Sequence, residues 1–249
     1  MKKNYVLTLA YDGTRFGGFQ KQGNNDNTIQ KTLEDVFSNI LSEDIEIIAS
    51  GRTDAGVHAY GQVINLITSS SLEKNEILRK ANEALTSDIV CKSIEQVDLR
   101  FHSRYNATSK KYLYRILNDK IGNPFTRKYS YHYDKTIDIE KMVEGSKRLL
   151  GTHDFRAFSS DKRKKKSTVR TISKIDIEKN SNEINITIEG DGFLYNMVRI
   201  LAGTLLDVGT GKITVSQIED ILVSKQRSEA GAMLPPHGLY LMEVSFNKL

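Results

Sequence analysis

Residues 45–68 read IEIIASGRTDAGVHAYGQVINLIT, two apolar ends around a charged, glycine-rich centre. IEIIA and VINLIT are short runs rich in β-branched residues, the composition of strands in a sheet. Two residues suffice to turn one strand into the next, so the longer connection from Ser50 to Gln62 is where the chain holds something in place. Gly51 and Gly56 bracket Arg52, Thr53 and Asp54, which lets the backbone take positive φ on either side and project Asp54 from a tight loop. An aspartate between glycines commonly just hydrogen-bonds its own turn, so spacing alone assigns no chemistry to it.

Working outward, the pattern is β-α-β-β-α-β. Tyr5, Leu7, Leu9 and Tyr11 alternate as a strand. Ile29, Leu33, Val36, Phe37 and Ile40 then repeat at helical spacing behind an N-capping Thr28. After the two central strands, Ile77, Leu78, Ala81 and Leu85 mark a second helix, and DIVCKSIEQV closes the unit as a strand. From Lys110 the plan restarts. Tyr112, Tyr114 and Ile116 alternate in KYLYRIL, and Ile139, Met142, Val143, Leu149 and Leu150 form a helix that Gly151 caps. TVRTISKIDIEK and EINITIE make a hairpin about Asn180, Ser181 and Asn182, followed by a helix through Leu194, Met197, Val198, Leu201 and Leu205. An extra helix starts at Thr214 with Gln217 completing a capping box, and GLYLMEVSF is the last strand. The expected fold class is α+β: two split β-α-β units, ferredoxin-like or RRM-like, whose antiparallel sheets form a central cleft. The expected domains are 1–105, carrying the charged loop, and 106–249. RNA-recognition modules commonly use such sheets, although fold alone names no activity.

The balance of 36 Lys plus Arg against 31 Asp plus Glu, with several basic clusters, suggests a polyanionic partner. The apolar run near the N-terminus alternates and lacks a small-residue cleavage site, so it reads as a strand and not a signal peptide. No stretch reads as a transmembrane segment. Cys91 is the only cysteine, which excludes an internal disulfide and a thiolate zinc cluster and suits a reducing cytoplasm. It alternates with Ile89 and reads as core. The five histidines are scattered with no HExxH or HxE…PCxxC pattern, so a metal site and a zinc-dependent deaminase are not expected.

The run GRTDAGVHA resembles the signature of the tRNA pseudouridine synthase A family. The resemblance extends over nearly the whole chain, through YDGTRFGGFQKQ, TIQKTLE, FHSRYNATSKKYLYRI, GDGFLYNMVRILAGTLLDVG and GLYLMEV. It implies the pseudouridine synthase fold, isomerisation of uridine to pseudouridine at positions 38, 39 and 40 of the tRNA anticodon arm, a homodimer, and no metal or organic cofactor. Matched residue by residue, it places Asp54 on the catalytic aspartate, Arg52 on the arginine two places before it, Tyr112 on the active-site tyrosine, and Arg199 on an arginine that pairs with the aspartate. Phe19 stands where the family often has Trp, a change between aromatics with no bearing on the chemistry.

These residue types suit the reaction. A carboxylate can attack C6 of the ring or C1′ of the sugar and leave again, and in a desolvated site a cation keeps it ionised. Arg52 is a candidate for displacing the target base while contacting phosphates. Tyr112 offers a stacking face and a hydroxyl for the C5 proton, although a tyrosine in an alternating strand is by itself usually packing. Arg104 is a candidate phosphate contact. The run Lys162, Arg163, Lys164, Lys165, Lys166, with Arg170 beyond it, is commonly a solvated loop, but an RNA substrate would make it a backbone-binding segment. The same motifs leave open a ribosomal RNA substrate, another tRNA position, or an RNA-binding protein without activity.

Overall fold

The computed structural model describes residues 1–23, 25–161 and 167–247, which form an α+β structure with ten strands and five α-helices. The chain divides into two compact units, Met1–Thr108 with Tyr240–Leu249, and Ser109–Leu239.

In the first unit β1 (Lys3–Tyr11) is followed by α1 (Ile29–Leu41), the two-residue β2 (Ile48–Ala49), β3 (His58–Thr68), α2 (Lys74–Ala84) and β4 (Ile89–Val97). β1 lies between β3 and β4, antiparallel to both, with Leu7 opposite Ile64 and Ile94. Thr28 caps α1 as its composition predicts, its hydroxyl accepting from Lys31 N at 3.3 Å, and Ile29, Leu33, Phe37 and Leu41 recur every four residues as the buried stripe. IEIIA gives less strand than expected: only Ile48 and Ala49 pair with β3. Side chains of α1 satisfy the preceding amides instead, Ser38 Oγ accepting from Ile45 N at 2.9 Å and Glu34 Oε1 from Ile47 N at 3.3 Å, so no sheet neighbour is needed there.

β3 is buried on both faces except at Tyr60 and Ile67. This is why its sequence runs nearly continuously apolar instead of alternating. The two polar residues inside its buried stretch, Gln62 and Asn65, therefore need internal hydrogen-bond partners, and each has them.

In the second unit β5 (Ala107–Asn118, its first two residues in unit one) leads to β6 (Tyr131–Tyr133), α3 (Ile139–Lys147), β7 (Gly151–Asp154), β8 (Val169–Asn180), β9 (Glu183–Gly190), α4 (Met197–Gly209) and α5 (Gln217–Ser224). The strands run in the order β5-β9-β8-β7, with β6 parallel to β5. The expected hairpin is present with Ser181 and Asn182 as its loop, Ser181 at φ 55°. Helix α3 stops at Lys147, short of the expected Leu150. Arg148 N and Leu149 N donate three residues back and tighten the last turn, and Gly151, at φ 95°, turns the chain into β7. The Thr214 capping box forms reciprocally, Gln217 N donating to the Thr214 hydroxyl at 3.3 Å and Thr214 N to Gln217 Oε1 at 2.8 Å. The last strand, β10 (Leu239–Phe246), pairs in parallel with β3, Tyr240 opposite His58 and Leu241 opposite Ala59, so its residues from Tyr240 onward belong to the first unit.

Helix α4 is buried on all sides apart from Asp207. Gly203 on it faces the Ala232 carbonyl, where a β-carbon would collide with the backbone oxygen. Gly203→Ala is expected to destabilise the protein by about 1–3 kcal/mol despite alanine's better helix propensity, because rigid backbone must move. A thermal melt equal to or above wild type would show that the contact gives way freely.

Candidate active site

The loop carrying Asp54 is held from behind by a buried side chain of β3. Gln62 is fully buried, and its amide nitrogen donates to Gly51 O at 2.9 Å while its oxygen accepts from the Ser50 hydroxyl at 2.8 Å. The same nitrogen reaches the Tyr11 hydroxyl at 3.4 Å, and that oxygen lies 2.8 Å from Thr53 Oγ1. Burial pushes the Tyr11 phenol up to about 12, so at neutral pH it stays protonated.

A second clamp comes from YDGTRFGGF. Phe19 N donates to Thr53 O at 2.9 Å, and Gly18, at φ 105°, lies so near that a β-carbon there would stand 3.1 Å from Thr53 O and 3.2 Å from Ala55 N. Gly13 abuts the Val57 carbonyl so tightly that no β-carbon fits. Within the loop Val57 N donates to Asp54 O at 3.1 Å, and Gly56 takes φ 78°. Gly13 and Gly18 thus allow two backbones to touch, whereas Gly51 does not take the positive φ expected of it and Gly56 alone does so in the loop. His58, at the start of β3, is also buried. Its Nδ1 lies 3.2 Å from Gly13 N and 3.1 Å from Asp12 Oδ1, and its ring stacks on Tyr240 with centroids 4.8 Å apart.

Between these clamps Thr53 is buried, Asp54 half-buried and Arg52 exposed. The Arg52 guanidinium is shifted downward, first by partial burial and then by repulsion from Arg104, which brings these two predicted residues into one electrostatic neighbourhood.

In the second unit, Tyr112 and Tyr114 lie two apart on β5, opposite Ile188 and Ile186 of β9. Tyr112 is buried and meets Phe193 edge to face with centroids 5.1 Å apart, while Tyr114 donates to Pro235 O at 2.8 Å. Burial drives the Tyr114 phenol upward, and the positive charge of Arg199 opposes that. Arg199 is itself 8% exposed. Its Nε donates to Leu234 O at 2.7 Å and an Nη to Asn196 Oδ1 at 2.9 Å, with Asn196 in the left-handed region at φ 62°. Both of these acceptors are neutral oxygens.

Lys162, Arg163, Lys164, Lys165 and Lys166 lie outside the described residues. Arg170, beyond them, donates to the carbonyls of Ser167 and Val169 at 3.1 and 2.6 Å. Among the described residues there is no cluster of three or more His, Cys, Asp or Glu able to hold a metal, and no helix long and apolar enough to cross a membrane.

Sequence reading did not single out Gln62, Thr53 or Asn196 as supports. For Gln62 the signal was available as a long amide in an otherwise apolar central strand. For Asn196 nothing in the sequence marks a left-handed residue that supports an arginine three places on.

These loops have the composition of a known group of RNA-modifying isomerases. The family described as tRNA pseudouridine synthase matches residues 8–106 and 146–247. The chain belongs to that family. Its curated relatives include tRNA pseudouridine synthase A of Bacillus sp. (strain KSM-64), 49% identical over 98% of this chain and 99% of its own. tRNA pseudouridine synthase A 2 of Bacillus cereus (strain ZK / E33L) is 45% identical over the same shares, and tRNA pseudouridine synthase A of Acetivibrio thermocellus is 42% identical over 98% of this chain and all of its own.

Gln62→Leu keeps the volume but strands the Ser50 hydroxyl and the Gly51 carbonyl. It is expected to cost about 1–3 kcal/mol of stability and, by loosening the loop, on the order of 100-fold in pseudouridine formation. Steady-state kinetics at a temperature where the variant is fully folded check this. A wild-type kcat would show that the amide serves only the fold.

Proposed function

We propose that this chain converts uridine to pseudouridine at positions 38, 39 and 40 in the anticodon arm of tRNA, with Asp54 as nucleophile and the target base flipped out of the stem. The observation that supports this most directly is the doubly clamped loop around Asp54, since a nucleophile that must reach one atom of an extruded base needs a fixed origin. The proposal takes the fold to be two split β-α-β units and the working enzyme to be a cytoplasmic homodimer.

In the proposed reaction the Asp54 carboxylate attacks C6 or C1′, and the bond from C1′ to N1 breaks. The uracil rotates and a bond forms from C1′ to C5. The carboxylate leaves C1′ as that bond forms, or leaves C6 afterwards; the C5 proton passes to the Tyr112 oxygen as the phenol's own proton is relayed onward, and N1 gains a proton, so the product is an isomer and no oxidant or co-substrate enters. Arg199 supplies the positive charge that keeps the desolvated carboxylate ionised. Arg52 and Arg104 contact phosphates, and Arg52 also helps to displace the base. Lys162, Arg163, Lys164, Lys165 and Lys166 add affinity along the RNA backbone without choosing sequence.

Asp54→Asn should abolish turnover while tRNA affinity stays within several-fold, because a neutral amide of the same shape replaces the nucleophile. Pseudouridine above a trace would overturn the assignment. For Tyr112→Phe the expectation is bound tRNA with the base detached from C1′ but little release of tritium from C5-labelled substrate in a single turnover. Tritium release at the wild-type rate would reduce Tyr112 to a stacking surface.

A further inference from the structure

The turn between β4 and β5 is built more firmly than a connection requires. Asn4 on β1 and Asn65 on β3 are both fully buried, at a cost in solvation that only hydrogen bonds offset. They spend those bonds on this turn. Asn4 Nδ2 donates to Asp98 O at 3.0 Å and to Phe101 O at 2.9 Å, Asn65 Oδ1 accepts from Ser103 N at 2.9 Å, and the two amides join each other at 3.1 Å. The turn closes on itself through Asn106 Oδ1, which accepts from His102 N at 2.8 Å, and through Tyr105 N and Asn106 N, which both donate to His102 O. His102 Nδ1 accepts from Arg104 N at 3.2 Å, which fixes the orientation of the imidazole.

This scaffold displays an aromatic side chain to solvent. Tyr105 is 78% exposed and rests on the His102 ring with centroids 4.2 Å apart, so one face of the phenol is supported and held in a single orientation. Basic residues stand in the same turn, with Asp98 at its start, where its carboxylate accepts from Arg100 N at 2.8 Å. Arg100 and Arg104 belong to the turn, Arg104 repels Arg52 of the Asp54 loop, and among the described residues none of the three guanidinium groups forms an ion pair with a carboxylate. A flat π-face among unneutralised arginines is what a nucleotide uses, the base on the ring and the phosphates on the cations.

We propose that the turn Asp98–Asn106 is a stacking platform for an unpaired base of the RNA substrate, with Arg104 and Arg52 taking the phosphates between that base and the one carried to Asp54. This rests on the proposed tRNA activity and adds a second point of attachment to it. Because the ring is already held on His102, little ordering cost is incurred when the base arrives. Unpaired nucleotides can reach such a platform and stacked duplex bases cannot, so the platform favours substrates whose target lies next to a loop.

The test uses the full chain and tRNA transcripts carrying 2-aminopurine at one unpaired position at a time, with fluorescence titration and pseudouridine formation measured in parallel. Tyr105→Ala is expected to raise Kd roughly five- to a hundred-fold, the range for loss of one base–aromatic stack, with an unchanged salt slope because no cation is lost. Tyr105→Phe should recover the affinity that alanine loses. Quenching on binding should appear at one labelled position and vanish there in Tyr105→Ala, whereas Arg104→Gln should keep the quench and lower the salt slope by about 0.7 to 0.9. Alanine at Tyr105 binding as tightly as wild type, or quenching that survives it at every position, would overturn the platform. Wild-type protein that shows the quench yet forms no pseudouridine would overturn the activity and uphold the platform.

Discussion

The amide of Gln62 is the constraint on which the Asp54 loop depends. It sits in a strand covered on both faces, where water cannot substitute for lost partners, and it bonds to both Ser50 and Gly51. The interaction is buried and two-sided, so it specifies one placement of the loop entrance where a surface contact would allow several. Tyr11 and Thr53 extend the same hold by one residue toward Asp54, and the glycines at 13 and 18 let a neighbouring backbone close on the loop from the other side. The segment can therefore be polar and glycine-rich without being loose.

The Asn4–Asn65 pair repeats this device. In both cases a buried amide on the central strand reaches out to fix a loop that carries charged residues. The strand gives up apolar packing at two positions and gains two positioned loops. Arg52 and Arg104, one on each loop, are close enough that repulsion from Arg104 adds to partial burial in shifting the Arg52 guanidinium downward. An arrangement that holds like charges together gains its stability elsewhere and becomes favourable when an anion arrives. Phosphate is the anion that an RNA substrate supplies in a row.

Most of the regular structure could be read from spacing, because the elements follow their local preferences. α1 has its cap and its stripe, the β8–β9 hairpin has its turn residues, and the Thr214–Gln217 box forms as written. The differences arise where a tertiary partner replaces a local one. Ile45 and Ile47 look like strand residues, yet α1 side chains take their amides. Leu149 and Leu150 continue the helical spacing of α3, but the helix has already ended in a tightened turn. The last strand reads as the end of the second unit because it follows in sequence. Its register with β3 depends on contacts far along the chain, which periodicity does not record.

For the candidate site the division is similar. Residue types that carry charge or aromatic faces stand out in a sequence, and Asp54, Arg52, Tyr112, Arg199 and Arg104 were all found that way or through the family motifs. What holds them does not stand out, because a supporting residue is chosen for reach and hydrogen-bond capacity rather than for reactivity. Asn196 supports Arg199 from a left-handed backbone position, and Leu234 does so through a carbonyl that any residue would offer. With Nε held by the Leu234 carbonyl and one Nη by Asn196 Oδ1, two sides of the Arg199 guanidinium are fixed. A residue held in that way takes its orientation from the fold, through acceptors that its own side-chain chemistry does not reveal.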